Sequence, residues 1–206
     1  IGGGIMGCST ALRVTQGGMR AIVLDQGDLG QGASGVNAGT LSLQIKRVKL
    51  MPYALKGHHL WEQMGAAVGF QKTGGYTLAF NEREADLLRI RQTMKAEAGA
   101  PIEFVSVRDL RAAEPNLTKR VVAASYCSED GYANASLTGQ YYRHQLTDAG
   151  VEYREKSAVT SIERNDFFEL STSQGVVRAN RILLAAGAWI GPVAALLGVV
   201  LPVNAR

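Results

Sequence analysis

The sequence predicts an α/β fold in which a parallel sheet starts at the first residues and is completed late in the chain. Three observations predict it. Gly2, Gly4 and Gly7 follow the spacing G-x-G-x-x-G and lead into an amphipathic helical stretch. A short apolar run then ends on Asp25, 18 residues after Gly7. Residues 181–186 form another apolar run far downstream, so the sheet is discontinuous in sequence.

The glycine spacing is typical of a Rossmann-like βαβ unit that binds a dinucleotide. Gly2 permits a tight turn, Gly4 lets the backbone approach a pyrophosphate, and Gly7 lets the helix pack closely on the strand. Free N–H groups at the start of the helix then face the phosphates. Asp25 is expected to accept hydrogen bonds from ribose hydroxyls, and its charge would repel a 2′-phosphate, which argues against an NADP site. The alternative is a glycine-rich turn before an ordinary helix.

Composition narrows the class of protein. Of the 206 residues, 46% are hydrophobic and 19% charged, as in a globular protein with a substantial core. The chain is mildly basic, with 22 Lys and Arg residues against 18 Asp and Glu, and it has no block of Lys or Arg. Nucleic-acid binding is therefore not indicated. Glycines and a proline interrupt the apolar run at residues 182–201, which favours a buried strand and helix over a transmembrane segment. Two isolated cysteines indicate a reducing compartment.

A loop of small residues follows Asp25 and extends over residues 26–40 with five glycines. One interpretation is a flexible linker. The loop interleaves Val36 and Asn37 with its glycines, however, and long loops of this kind are typical of functional segments. We therefore expect its backbone to close on a ligand.

The remaining hydrophobic pattern predicts an alternation of helices and strands. Helices are predicted at residues 5–16, 52–64, 82–98, 137–149 and 190–197, with a short one after Ser106. Strands are predicted at residues 19–24, 74–80, 102–105, 121–127, 151–153 and 181–186, and an antiparallel meander at residues 158–163, 167–172 and 176–179. We expect residues 1–45 and 120–206 to form the dinucleotide-binding domain and residues 46–119 to begin an inserted mixed α+β substrate or cap region.

Two further expectations concern metals and the chain ends. His58 and His59 are neighbours on a predicted helix and face different directions, and His144 stands alone, so no metal site is predicted. A βαβ unit needs a strand before Gly2, and only Ile1 precedes it. The chain is therefore expected to be a fragment, truncated at both ends.

Several stretches occur together in a characteristic order. They are the glycine fingerprint, the Leu24-Asp25 strand end, the loop at residues 32–39, residues 73–76, Glu114-Pro115 and residues 183–189. Together they resemble the D-amino-acid oxidase (DAO) superfamily of FAD-dependent oxidoreductases over nearly the whole chain. Members of this family include glycine and sarcosine oxidases, D-amino-acid dehydrogenases and the flavin subunits of opine oxidases and hydroxyproline dehydrogenases. The glycine loop and the Ala-Gly-Ala-Trp segment are the more specific stretches, because NAD-only Rossmann domains lack both.

The resemblance implies a Rossmann-like FAD/NAD(P)-binding domain that carries FAD. The loop would approach the flavin and pyrophosphate, Val159 would meet the adenine through its backbone, and Ala186 and Gly187 would pass close to the dinucleotide. The candidate cofactor-binding residues are Gly2, Gly4, Ile5, Met6, Gly7, Asp25, Gln26, Ala33, Ser34, Asn37, Ala38, Gly39, Val159, Ala186, Gly187 and Trp189. No catalytic residue can be matched, because most residues that grip the substrate carboxylate in this family lie farther along the chain.

The leading hypothesis is the N-terminal portion of a flavoprotein that oxidises the C–N bond of an amino acid or secondary amine by hydride transfer to flavin. A small-molecule amine and an electron-acceptor subunit are the implied partners. The expected location is the cytoplasm, with peripheral attachment at the inner membrane as a variant. The alternatives are an NAD-dependent dehydrogenase and a nucleotide-binding remnant without activity. The 206-residue chain alone is expected to bind FAD poorly and to turn nothing over.

Overall fold

The computed structural model describes residues 1–203 and divides the chain into two compact units. The first unit combines residues 1–38 with the chain from residue 135 onward, and the second comprises residues 39–134. The mixed α/β fold predicted from the sequence is confirmed, and the first unit consists of two separate stretches of the chain.

The helices lie close to their predicted positions. They are α1 (Ile5–Gln16), α2 (Met51–Met64), α3 (Glu82–Glu97), α4 (Val107–Ala113), α5 (Thr138–Asp148) and α6 (Ile190–Ala195). The strands are β1 (Ile22–Leu24), β2 (Thr40–Leu41), β3 (Gln71–Lys72), β4 (Gly75–Ala79), β5 (Ile102–Val105), β6 (Ala123–Cys127), β7 (Gly131–Tyr132), β8 (Glu152–Arg154), β9 (Val159–Arg164), β10 (Phe168–Thr172) and β11 (Gly175–Ala179). Within residues 1–203, no helix combines the length and the hydropathy that a bilayer crossing requires.

The first unit is built on a parallel pairing of β1 with β8, in which Ile22 lies opposite Glu152. The backbone of Ile1 extends this arrangement. The N–H of Gly2 donates to the Leu24 carbonyl at 2.8 Å, and the N–H of Ala185 donates to the Ile1 carbonyl at 2.7 Å. Helix α1 packs here through its small residues, since Gly7, Cys8 and Ala11 are buried. The first and the late parts of the chain thus meet in one sheet region.

The meander β9–β10–β11 closes the core of this unit. Leu24 of β1 packs in one cluster with Ile162, Leu170 and Val177, one residue from each meander strand. The three strands pair antiparallel in the order β11–β10–β9, as predicted. Alternation along each strand places these apolar residues on the face towards the sheet.

The predicted strand at residues 181–186 is wrong in one respect. The segment is extended beside Ile1 but is not a regular strand. Its Leu183 carbonyl and its Ala185 N–H both form hydrogen bonds with Ile1. A single residue, Ile1, is too short a partner for a regular ladder of strand hydrogen bonds. The apolar pattern thus identified the location of the segment and not its regularity.

The second unit contains the antiparallel sheet β4–β6–β5 and the small ribbon β2–β7–β3. Successive residues of β6 point to opposite faces of its sheet. Ala123 packs with Leu88 of α3, whereas Ala124 packs with Leu110 of α4. The two helices therefore cover opposite faces of the same sheet.

The bounds of the compact units differ from the domain limits expected from the sequence. The units divide after residues 38 and 134, whereas the expected limits followed residues 45 and 119. Strand β6 accounts for the larger difference, because it lies between β4 and β5 and pairs with both. The binding roles assigned to the two units remain predictions.

Candidate dinucleotide site

The glycine turn is held by close backbone packing. Gly2 has φ +109°, and a Cβ there would lie 2.3 Å from the carbonyl oxygen of Ala185. A Cβ on Gly7 would lie 1.9 Å from the carbonyl oxygen of Gly2. Real Cβ atoms do not approach so closely, so both positions require glycine. The tight turn and the close packing predicted for these two residues are both present.

Asp25 is fixed by backbone donors at the end of β1. Its Oδ2 accepts the N–H of Gly3 at 2.6 Å, and its Oδ1 accepts the N–H of Gly27 at 2.7 Å. Each carboxylate oxygen can accept a further hydrogen bond. The half-buried carboxylate is therefore oriented in advance and retains acceptor capacity for a ribose hydroxyl.

The glycine loop packs on the start of α1. The hydroxyl of Ser34 accepts the N–H of Ile5 at 3.0 Å, and the N–H of Gly30 donates to the Gly3 carbonyl at 2.9 Å. Asn37 Nδ2 donates to the Ala33 carbonyl at 2.8 Å and to that of Ser34 at 3.2 Å. These bonds favour a folded loop over the flexible linker.

The start of α1 suits an anion. The first N–H groups of a helix have no partner within it, and α1 has no acidic residue in its first turn. Gly4 stands at the N-cap without a side chain of its own, and the exposed Met6 follows in the first turn. Backbone N–H groups, a hydroxyl and an oriented carboxylate form a donor and acceptor set that fits a dinucleotide.

The turn at residues 186–189, called the late turn below, lies beside the glycine turn. The position of a Cβ on Gly2 lies 2.9 Å from the nitrogen of Ala186. Gly187 follows with φ +54°, and the N–H of Trp189 donates to the Ala186 carbonyl at 2.9 Å. Trp189 leaves 52% of its surface exposed. The chain start, Asp25 and the late turn therefore lie close together.

Other candidates lie apart from this cluster or make different contacts. Gly39 belongs to the second unit, where a Cβ would lie 1.9 Å from the Ala133 carbonyl oxygen, so packing alone explains the glycine. Val159 begins β9, pairs with Thr172 and packs against the meander cluster. Gln26 and Ala38 are exposed.

Sequence reasoning missed a half-buried ion pair beside the site. Glu155 Oε1 accepts a hydrogen bond from the N–H of Leu29 at 2.6 Å. The same oxygen lies 2.7 Å from Arg143 Nε, which donates to it, and 2.6 Å from Arg143 Nη2. Burial acts to raise the pKa of Glu155, but the hydrogen bonds from Arg143 and Leu29 and the Arg143 charge lower it overall. Since Leu29 lies 126 residues from Glu155, no local pattern could have revealed this contact.

The second unit holds a buried polar network that was also missed. Asp130 accepts the Ser42 hydroxyl at 2.5 Å and the N–H of Leu43 at 2.8 Å. The side-chain oxygen of Gln44 accepts a hydrogen bond from the Ser125 hydroxyl at 2.7 Å. The backbone carbonyl of Gln44 accepts a hydrogen bond from the Lys95 ammonium. Burial, and next the charge of Arg91, lower the pKa of Lys95. The network fixes the segment that follows the glycine loop.

The histidines form no compact ligand group. His58 is buried with its Nε2 3.7 Å from a Glu129 carboxylate oxygen, while His59 is exposed and lies near Glu62. Over residues 1–203 no three His, Cys, Asp or Glu side chains are grouped so as to hold a metal ion.

Comparison with known proteins agrees with this geometry. The profile of the DAO family, described as FAD dependent oxidoreductase, matches residues 1–206. An opine oxidase subunit of Rhizobium meliloti is 29% identical over 99% of this chain and 59% of its own length. Glycine oxidase of Geobacillus kaustophilus is 27% identical over 98% of this chain and 57% of its own.

Solved structures give the same fold. The crystal structure of glycine oxidase from Geobacillus kaustophilus superposes with a TM-score of 0.86 at 26% identity, covering 98% of this chain and 58% of that one. L-proline dehydrogenase from P. horikoshii gives a TM-score of 0.87 at 20% identity, covering 96% of this chain and 54% of that one, and at this identity it supports the fold alone. The chain spans somewhat more than half the length of these relatives.

Proposed function

The chain belongs to the FAD-dependent oxidoreductase family, and on that premise we propose that it provides the dinucleotide-binding part of a flavoprotein that oxidises the C–N bond of an amino acid or secondary amine. The cofactor prediction of FAD is confirmed at the level of the family. Relatives named as a glycine oxidase and as part of an opine oxidase support the substrate class.

One observation supports the proposal most strongly. The chain start, Asp25, the glycine loop up to residue 38 and the late turn lie together in one compact unit, although 182 residues separate the hydrogen-bonded Ile1 and Leu183 in sequence. Hydrophobic packing alone would not require two oriented carboxylate oxygens beside a helix start that has no acid of its own. A ligand with ribose and phosphate groups accounts for both features.

Each part of the site has a role in the proposed function. The glycine turn and the start of α1 would hold the pyrophosphate, with the Ser34 hydroxyl as an additional polar partner. Asp25 would accept ribose hydroxyls, and its negative charge disfavours a 2′-phosphate. FAD, when bound, would supply the hydride acceptor for oxidation of the carbon next to the amine nitrogen, and water would hydrolyse the resulting imine. The protein supplies position and electrostatics.

Asp25 is the residue for the decisive test. In the full-length protein purified with its flavin, Asp25→Ala should weaken FAD binding at least about tenfold, since it removes a charged acceptor. Asp28→Ala is the matched control, because Asp28 lies three residues away, is 44% exposed and should leave the dissociation constant unchanged. Equal affinities of the two variants, measured by flavin fluorescence titration, would refute the role of Asp25. A wild-type protein that lacks flavin absorbance even after FAD addition would refute the proposed function.

The two alternatives predict different outcomes. An NAD-dependent dehydrogenase needs a second βαβ unit soon after β1, whereas here the chain leads into antiparallel sheets. Tight NAD binding without flavin would favour that alternative. A nucleotide-binding remnant would bind FAD without turnover of any amine in the full-length protein.

Partners and location follow from the same proposal. One relative is named as a subunit, which supports a partner polypeptide that accepts electrons. Co-purification of a second polypeptide with the flavoprotein would support this arrangement. We propose a cytoplasmic location, with peripheral attachment at the inner membrane as the variant that cell fractionation would reveal.

A further inference from the structure

Two chain segments of the first unit are joined by hydrogen bonds beside the candidate site. The segment after β1 accepts two backbone bonds from the segment after β8. The N–H of Ser157 donates to the Asp25 carbonyl at 2.7 Å, and that of Lys156 donates to the Gly27 carbonyl at 2.9 Å. Lys156 has φ +53°, the only positive value among the non-glycine residues from 1 to 203. A left-handed residue is strained and persists only where the surroundings fix it.

Glu155 supplies the side-chain part of this junction. Its Oε1 receives the N–H of Leu29 and two nitrogens of Arg143, all within 2.7 Å. The pair is sheltered, since Glu155 is 24% and Arg143 31% exposed. Hydrogen bonds between charged groups in such a setting are stronger than neutral ones. The Glu155 carboxylate therefore connects Arg143 of α5 to Leu29 in the segment after β1 by hydrogen bonds.

Helix α5 contacts that segment at a second point. Gly139 lies one turn before Arg143, and a Cβ on Gly139 would lie 2.1 Å from the Leu29 carbonyl oxygen. The Leu29 side chain is fully buried, and its Cδ2 lies 2.2 Å from the position of a Cβ on Gly3. The next residue, Gly30, donates to the Gly3 carbonyl at 2.9 Å. Contacts thus connect Glu155, through Leu29, to the glycine fingerprint.

We infer that Glu155 is a positioning residue for the dinucleotide: with Arg143, it holds Leu29 and Gly30 so that Gly3 and the Asp25 carboxylate keep the geometry that ribose and pyrophosphate require. This inference rests on the proposed function and adds two residues that the fingerprint does not contain. Neither side chain needs to contact the cofactor. Their effect reaches it through the backbone of residues 25–30.

The test compares two Arg–Glu pairs whose glutamates lie in β8 or directly after it. Glu152 pairs with Arg154 at 2.8 and 2.9 Å, much as Glu155 pairs with Arg143, but it is 56% exposed and its partner lies on the same strand, β8, whereas Arg143 lies on α5. In the full-length protein, Glu155→Ala should raise the FAD and ADP dissociation constants about tenfold, as the loss of a charge-assisted hydrogen bond. Glu152→Ala should leave both constants unchanged.

Conservative variants separate positioning from a loss of folding. Glu155→Gln keeps the reach to Leu29 and loses the charge, whereas Glu155→Asp keeps the charge and loses the reach. If Glu155 acts by holding Leu29 and Gly30 in position, both variants weaken FAD binding, while kcat at saturating FAD stays at the wild-type value. A fall in kcat at saturating FAD, or the same FAD affinity in the Glu155 and Glu152 variants, would overturn the inference. Failure of the wild-type protein to bind FAD would instead overturn the proposed function.

Discussion

Gly7 shows how one residue links packing to function. Its missing side chain leaves room for the Gly2 carbonyl, which a Cβ would approach to 1.9 Å. Gly7→Ala should therefore lower the free energy of unfolding by about 1–3 kcal/mol, the usual cost of overpacking a tight site. FAD affinity should fall in parallel, because the glycine turn would shift. Chemical denaturation and flavin titration of the same variant measure the two effects.

Gly57 provides the control for this substitution. It lies within α2, and a Cβ there would meet nothing within 4 Å. Gly57→Ala should raise the free energy of unfolding by about 0.5–1 kcal/mol, since alanine favours the helix and restricts the unfolded chain. If both variants were destabilised equally, steric conflict would not explain the requirement at Gly7.

Single residues also show where sequence reasoning succeeds and where it cannot. The close packing at Gly2 and Gly7 and the place of Asp25 at the end of β1 were predictable, because they follow from a local spacing with a physical reason at each position. Glu155 was not, because its partner Leu29 is distant in sequence and a lone Glu in a loop has no distinguishing pattern. Gly39 was predicted as a cofactor-binding residue, and its close contact with the Ala133 carbonyl was not predictable because it depends on the folded second unit.

Among the elements, α3 has a clearly defined beginning. Asn81 Oδ1 accepts the N–H of Glu84 at 2.9 Å, and Glu84 Oε2 accepts the N–H of Phe80 at 2.8 Å. Asn81 is therefore the N-cap of α3. Asn81→Ala should reduce the free energy of unfolding by about 1 kcal/mol, or about 2–4 °C in melting temperature. Asn81→Ser should restore most of it, and a serine variant as unstable as alanine would argue against the cap.

Helices and strands differ in how far the sequence determines them. Helix α3 begins at the predicted residue and ends within one residue of the predicted end, because capping residues and apolar periodicity are local signals. The segment at residues 181–186 illustrates the opposite case. Its apolar residues identified its position beside the sheet, but regular strand structure depends on a neighbouring strand of matching length.

At the scale of the whole molecule, the two buried cysteines make the stability of the fold depend on pH. Burial, followed by the charges of Asp25 and Glu155, raises the pKa of the Cys8 thiol to about 12. Burial, followed by the charge of Asp130, raises the pKa of Cys127 to about 11. Since both values exceed that of an exposed thiol, these groups stabilise the fold fully below about pH 9, and that contribution is lost as pH rises towards the folded values.

Thiol alkylation at pH 8 should therefore be slow in the folded protein. Both cysteines are fully buried, and the thiolate is the reactive form. We expect iodoacetamide to modify each thiol at the rate at which the protein opens, and both to react quickly in concentrated guanidinium chloride. Mass spectrometry of time points measures this. Rapid modification of Cys8 in native protein would contradict the packing of α1 on the sheet.

The interrupted course of the first unit has a consequence for biosynthesis. Parallel strands β1 and β8 meet in the sheet, yet the whole of residues 39–134 is translated between them. The first unit can therefore form its parallel sheet only after β8 has been synthesised, and closing so long a loop is slow. The intervening half is contiguous and can acquire structure first. Pulsed hydrogen exchange during refolding should find protection in β4–β6–β5 before β1, and simultaneous protection of both would show that the two halves mature together.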